Sequence, residues 1–218
     1  GARPFHFDRI TSLLEKRVHE TILEVNLNAI VDNLNHYRSM LKQDEKIVCM
    51  VKASAYGAGS IEVSKTLQDH KVDYLAVAVA DEGVTLRHGG IHSHIMIMNP
   101  EMTSFHDLFQ YNLEPEVYSF KLLESLIKAA NQAGVTNFPI HIKLDTGMHR
   151  LGFDPVNDIE KLIYVLNHQN ALRPCSVFSH FVGSDSEQFD EFTRHQFNLF
   201  NKASLQLQQH FPHHITRH

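Results

Sequence analysis

The chain has 218 residues, 43% of them hydrophobic, with 20 basic against 25 acidic side chains and a formal net charge of −5. That supplies enough apolar material for one sizeable core or most of a barrel. The mild acidity and the scattered Lys and Arg argue against nucleic acid or an anionic membrane as partner, and no stretch reaches the apolar length of a membrane span. No signal-peptide pattern opens the chain, so the expectation is a cytoplasmic protein.

Residues 1–20, "GARPFHFDRITSLLEKRVHE", are more polar than the rest of the chain and read as a connector ending in a short helix. Beyond them, short strand candidates recur with helical stretches between. They are "ILEVNL" (22–27), "IVCMVK" (47–52), "YLAVAV" (74–79), "IMIMN" (95–99), "EPEVYS" (114–119), "IHIKLD" (140–145), "CSVFSH" (175–180) and "HHIT" (213–216). Most are nearly continuous apolar runs, as expected of parallel strands covered on both faces. Ile30, Val31, Leu34, Tyr37 and Leu41 recur at helical spacing, and so do Leu122, Leu126, Ile127 and Ala130, with Ser119 as N-cap and Gly134 as terminator. A long helix after "GSDSEQFDEF" brings Phe189, Phe192 and Phe200 near one face. Repeated strand–helix units predict an α/β fold, either a (β/α) barrel or an open doubly wound sheet. No G-x-G-x-x-G follows a strand, which weakens a dinucleotide site.

Cys49 and Cys175 lie far apart in apolar runs and read as buried free thiols. Seventeen histidines, some in "IHSH" (91–94) and "FPHHITRH" (211–218), raise a metal site. Neither stretch has cysteines, a His-Glu-x-x-His helix or paired carboxylates at ligand spacing, so no metal is expected. The chain starts at Gly1 and stops at His218 inside a strand-like run, and it therefore reads as a fragment.

In either architecture reactive groups belong at the carboxyl ends of strands. Three ends stand out. "IVCMVK" ends at Lys52 and passes into "ASAYGAG"; "IHIKLD" runs into "TGMHRLG"; "CSVFSH" ends at His180. Strand alternation puts Met50 and Lys52 on one face. A lysine facing a barrel axis is desolvated, loses proton affinity and becomes a nucleophile able to form a Schiff base with an aldehyde cofactor. A strand-end lysine reaching into solvent satisfies the same spacing.

"VKASAYGAG" resembles the cofactor-lysine motif of the alanine racemases. "HIKLDTGMHRLGF" (141–153) and "VFSHFVGSD" (177–185) resemble that family's second and third signatures, and "LEVNLNAIVDNLNHYRS" (23–39) its opening strand and helix. The resemblance implies a (β/α)8 TIM-type barrel binding pyridoxal 5'-phosphate, plus a C-terminal β domain absent here, working as a homodimer. Residues 21–45 would be the family's N-terminal strand and helix, with "ILEVNL" belonging to the β domain rather than the barrel. Residues 46–218 would be an incomplete barrel. Lys52 would hold the cofactor and act as one of two acid–base groups. Tyr56 would bind the phosphate, Arg150 the cofactor's phenolic oxygen and the substrate carboxylate, and His180 would pack behind the pyridine ring. Lys143 matches a position that can be carbamylated. Two cations ~4 Å apart repel by about 4 kcal/mol at a dielectric of ~20, so an approach of Lys143 to Arg150 would favour that modification.

Ser54 and Ala58 depart from the family's usual aspartate and histidine. The second catalytic base, a partner-subunit tyrosine in the family, is absent from the matched motifs, so the fragment alone would be inactive. "GARPFHFDRI" leading into "KRVHETILEVNL" resembles the junction of a bifunctional protein, in which a UDP-N-acetylmuramoyl-tripeptide–D-alanyl-D-alanine ligase precedes the racemase. The implied activity is interconversion of L- and D-alanine for peptidoglycan precursors. Another amino-acid racemase or decarboxylase on the same cofactor fold, or a non-catalytic cofactor carrier, stays open.

Overall fold

The computed structural model describes residues 25–51, 59–181 and 190–217. Lys52, Tyr56 and Phe189 lie outside those residues, as does the strand expected at positions 22–24. At positions 25–27 the expected strand gives way to a helix start. The Asn26 side chain accepts hydrogen bonds from the backbone of Asn28 and Ala29 and caps α1, Leu27–Met40. Its apolar stripe is only partly covered: Leu34 is buried, while Tyr37 and Met40 stay exposed.

Seven parallel strands then follow in chain order: β1 (Val48–Met50), β2 (Tyr74–Val77), β3 (His94–Ile97), β4 (Leu113–Val117), β5 (Phe138–Leu144), β6 (Leu172–Ser179) and β7 (Thr216–Arg217). Each pairs with the next, so the sheet order is the sequence order. Between them lie α2 (Ser60–Asp69), α3 (Ala80–His88), α4 (Phe105–Gln110), α5 (Phe120–Gln132), α6 (Ile159–Asn167) and α7 (Asp190–Gln209). Sequential parallel pairing with a helix in each crossover is the topology of a barrel and excludes the doubly wound alternative, whose strand order reverses. The sheet curls: Lys46 before β1 and Thr216 and Arg217 of β7 border one cavity.

The core lies between strands and helices. Ile140, Ile142 and Leu144 of β5 share one apolar cluster with Leu122, Leu123, Leu126 and Ala130 of α5. Ser119 caps α5 as its sequence position predicts, and Gly134 ends it at φ +68°. In α7 the buried stripe is Gln196, Phe200, Ala203, Ser204 and Leu207, so Phe200 of the expected phenylalanine face is enclosed while Phe192 is exposed. Cys49 and Cys175 are free thiols, half-buried rather than fully enclosed.

Candidate active site at the carboxyl ends of the strands

Because Ile140, Ile142 and Leu144 face the helices, alternation turns His141 and Lys143 toward the barrel axis. The same argument applied to Leu113 and Val117 turns Glu114 and Glu116 inward from β4. Four ionisable side chains on two adjacent strands therefore meet inside the barrel, in two tiers.

The lower tier is a closed hydrogen-bond network. Glu114 Oε1 accepts from Tyr74 Oη and His141 Nε2, both at 3.1 Å, and Glu114 Oε2 lies 2.8 Å from His94 Nδ1. His141 Nδ1 pairs in turn with Ser176 Oγ. Burial would raise the Glu114 carboxyl, but the bonds and charge from His141 and His94 outweigh it and hold the group below its ordinary value. Burial and the neighbouring carboxylate push Tyr74 well above the usual phenol range. This tier is a polar plug with every carboxylate oxygen bonded, as a buried charge requires.

The upper tier opens on a cavity of ≈ 420 Å³. Lys143, Arg150 and His180 all line it, together with Met50, Met98 and Phe178. Three of the five residues singled out in the sequence are thus brought to one site, at the carboxyl ends of β1, β3, β5 and β6. Arg150 and His180 are exposed at the cavity mouth, and Lys143 is half-buried in its wall. Nothing is described for Lys52 and Tyr56, although Met50, two residues before Lys52, borders the cavity.

The segment 145–152, which carries Arg150, folds back onto the strand it leaves. Phe153 donates to Lys143 O and Asp145 donates to Phe153 O, each at 2.9 Å, which pinches the loop shut. Inside it, Asp145 Oδ1 accepts from the backbone of Gly147 and His149. Thr146 Oγ1 bonds Ser179 Oγ at 2.7 Å and ties the β5 loop to the end of β6. A Cβ on Gly152 would sit 2.6 Å from Asp145 N, at φ +151°, so only glycine fits there. This geometry explains the spacing of Asp, Thr, Gly and Arg in "DTGMHRLG".

The sequence reading missed Glu116. Its side chain is almost fully enclosed, and Lys143 Nζ lies 3.2 Å from its Oε1, which has no other partner among the described residues. Burial pushes the carboxyl up to about 7, with Lys143 pulling it back down. At a dielectric of ~20 the pair attracts by about 5 kcal/mol, before desolvation is set against it. Whether Lys143 approaches Arg150 was open in the sequence; the two share the cavity, and the lysine's ion pair is with Glu116. The signal was present in the sequence as "EPE" opposite "HIK", two charged pairs at period two.

The family model described as "Alanine racemase, N-terminal domain" matches residues 25–218. Alanine racemase 1 of Clostridium acetobutylicum is 38% identical over 178 residues, which is 81% of this chain and 45% of that protein. The alanine racemase of Clostridium novyi is 34% identical over 208 residues, 93% of this chain and 52% of that protein. Among solved structures, alanine racemase of Clostridium difficile 630 superposes with a TM-score of 0.82 at 33% identity, covering 89% of this chain and 53% of that one; it is also known in complex with cycloserine. The chain spans about half the length of the curated relatives it matches. With the motifs, the parallel barrel topology and the match over residues 25–218 in agreement, the chain belongs to the alanine racemase N-terminal domain family.

Proposed function

We propose that the protein containing this chain interconverts L- and D-alanine with pyridoxal 5'-phosphate, and that this chain supplies the cofactor-binding half of the site. The observation that carries the reading is the basic cavity at the strand ends, where Lys143, Arg150 and His180 converge. Its volume lies in the range of small-molecule sites. Lys143 and Arg150 in its lining, with the Asp145 side chain turned to the backbone of Gly147 and His149, suit a flat, anionic aldehyde, so the residues present fit the cofactor.

When bound, the cofactor supplies an electron sink that acidifies the substrate's Cα–H bond. Lys52 would anchor it covalently through its amine and exchange a proton at Cα on one face. A second acid–base group on the opposite face is required, since a single base returns the proton to the side it came from. A positioned base contributes typically 10²–10⁴-fold. That second group is proposed to come from a partner subunit's C-terminal domain, with the working protein a homodimer. Tyr56 would donate to the cofactor phosphate. Arg150, carried by the folded-back loop, would bind the phenolic oxygen and the substrate carboxylate. His180 would support the ring. D-alanine would feed peptidoglycan precursor synthesis in the cytoplasm, and residues 1–20 would join a preceding ligase domain.

The test is borohydride reduction of the full-length protein loaded with pyridoxal phosphate, followed by peptide mass mapping. The cofactor should be fixed on Lys52, and Lys52→Ala should lose both the fixed label and racemisation. Label found elsewhere, with Lys52 free, would exclude the assignment.

A further inference from the structure

Lys143 borders the mouth cavity, and as a lysine distinct from the one proposed to bind cofactor it must behave differently toward carbonyl carbon. An amine attacks an aldehyde or carbon dioxide only as the free base; as an ammonium it has no lone pair to offer. Lys143 is set apart by its partner. Glu116 Oε1 stands 3.2 Å from its Nζ, and the carboxylate comes from the adjacent strand, enclosed on all sides. The other buried carboxylate nearby, Glu114, is committed to Tyr74, His94 and His141 and does not pair with Lys143.

We propose that Glu116 is a positioning residue that keeps Lys143 as a fixed ammonium in the cavity wall, so that Lys143 takes up neither carbon dioxide nor an aldehyde. The chemistry runs in one direction. Carbamate formation needs Lys143 to give up one proton to become the free amine, and a second as its nitrogen bonds to the carbon of carbon dioxide; the product is an N-carboxylate anion plus two protons released to water. In place, that product would set an anion beside the enclosed Glu116 carboxylate and remove the charge that pairs with it. Glu116 already gives Lys143 an anionic partner from the adjacent strand. The Lys143 and Arg150 side chains in the cavity lining, beside the Asp145 carboxylate, are then left to receive an anionic ligand. The inference goes beyond the proposed activity, and its test involves no turnover.

The test exposes the protein to ¹³C-labelled bicarbonate, buffered above the Glu116 value of about 7, and reads carbamate by ¹³C NMR in wild type, Glu116→Gln, Lys143→Met and the double variant. In parallel, the cofactor-free protein is treated with limiting pyridoxal phosphate and borohydride and its labelled lysines are mapped. The expected result is no Lys143 carbamate or label in wild type, gain of both in Glu116→Gln, and loss of both again in the double variant. A carbamate resonance in wild type that disappears in Lys143→Met would overturn the proposal, and this arm stands even if Glu116→Gln fails to fold. A folded Glu116→Gln protein whose Lys143 stays as unreactive as in wild type would equally overturn the role given to Glu116.

Discussion

Glu116 on β4 and Lys143 on β5 form an ion pair of 3.2 Å inside the barrel, one tier above the Glu114–His141 contact made by the same two strands. The two carboxylates have opposite environments: three polar partners surround Glu114, and one lysine faces Glu116. Their protonation shifts accordingly in opposite directions.

That difference has a pH signature. Folded Glu116 keeps its proton up to about 7, against 4.5 for the ordinary carboxyl. Between those values the folded chain binds more protons than the unfolded one, so this group's contribution is fully present below 4.5 and falls as pH rises through 7. The decline amounts to about 3 kcal/mol. Glu116→Gln should flatten it, as read from urea midpoints at stepped pH; an unchanged slope would contradict the account.

Glu114 acts with the reverse sign. Its lowered value means stability present above the ordinary carboxyl range and lost on acidification through the folded value. His141→Leu removes the bond to Glu114 Oε1 and leaves Ser176 Oγ without its ring partner. The expected loss is about 2–3 kcal/mol at neutral pH, with a weaker acid dependence. Chemical denaturation at neutral and acid pH measures both.

Two glycines with positive φ separate conformational strain from steric conflict. Gly90, at φ +86°, has nothing within 4 Å of an added Cβ, so Gly90→Ala should cost about 1 kcal/mol. Gly152→Ala meets Asp145 N at 2.6 Å and the Leu144 carbonyl carbon at 2.8 Å. It should cost about 3 kcal/mol or more and open the pinch that carries Arg150. Thermal denaturation of both variants, with equal losses, would refute the distinction.

Arg150→Ala should weaken pyridoxal phosphate binding by about tenfold to a hundredfold, the worth of a charge-assisted hydrogen bond. Absorbance titration of the full-length protein reads the affinity. Arg150→Lys should recover only part of it, because a point charge does not reproduce the planar fork.

Much of the fold was legible in order along the chain. Apolar runs such as "IMIM" and "YLAV" become parallel strands because residues covered on both faces need no polar alternation, and Ser119 and Gly134 bracket α5 through local backbone chemistry. The family motifs single out Arg150, Lys143 and His180, and the fold brings these three around one cavity. Local patterns failed at Leu27, where the Asn26 cap starts a helix inside an apparent strand, and at Phe192, which α7 leaves exposed while burying Phe200 of the same expected face together with Gln196.

What the sequence settled alone were the quantities that depend on neighbours along the chain: strand and helix type, turn glycines and the motif spacing. Which charges meet was decided by tertiary structure, since the curl and register of β4 against β5 bring Glu116 on one strand to Lys143 on the next. A side chain's protonation and reactivity follow from the burial and charge around it, and those exist only once distant segments have packed together.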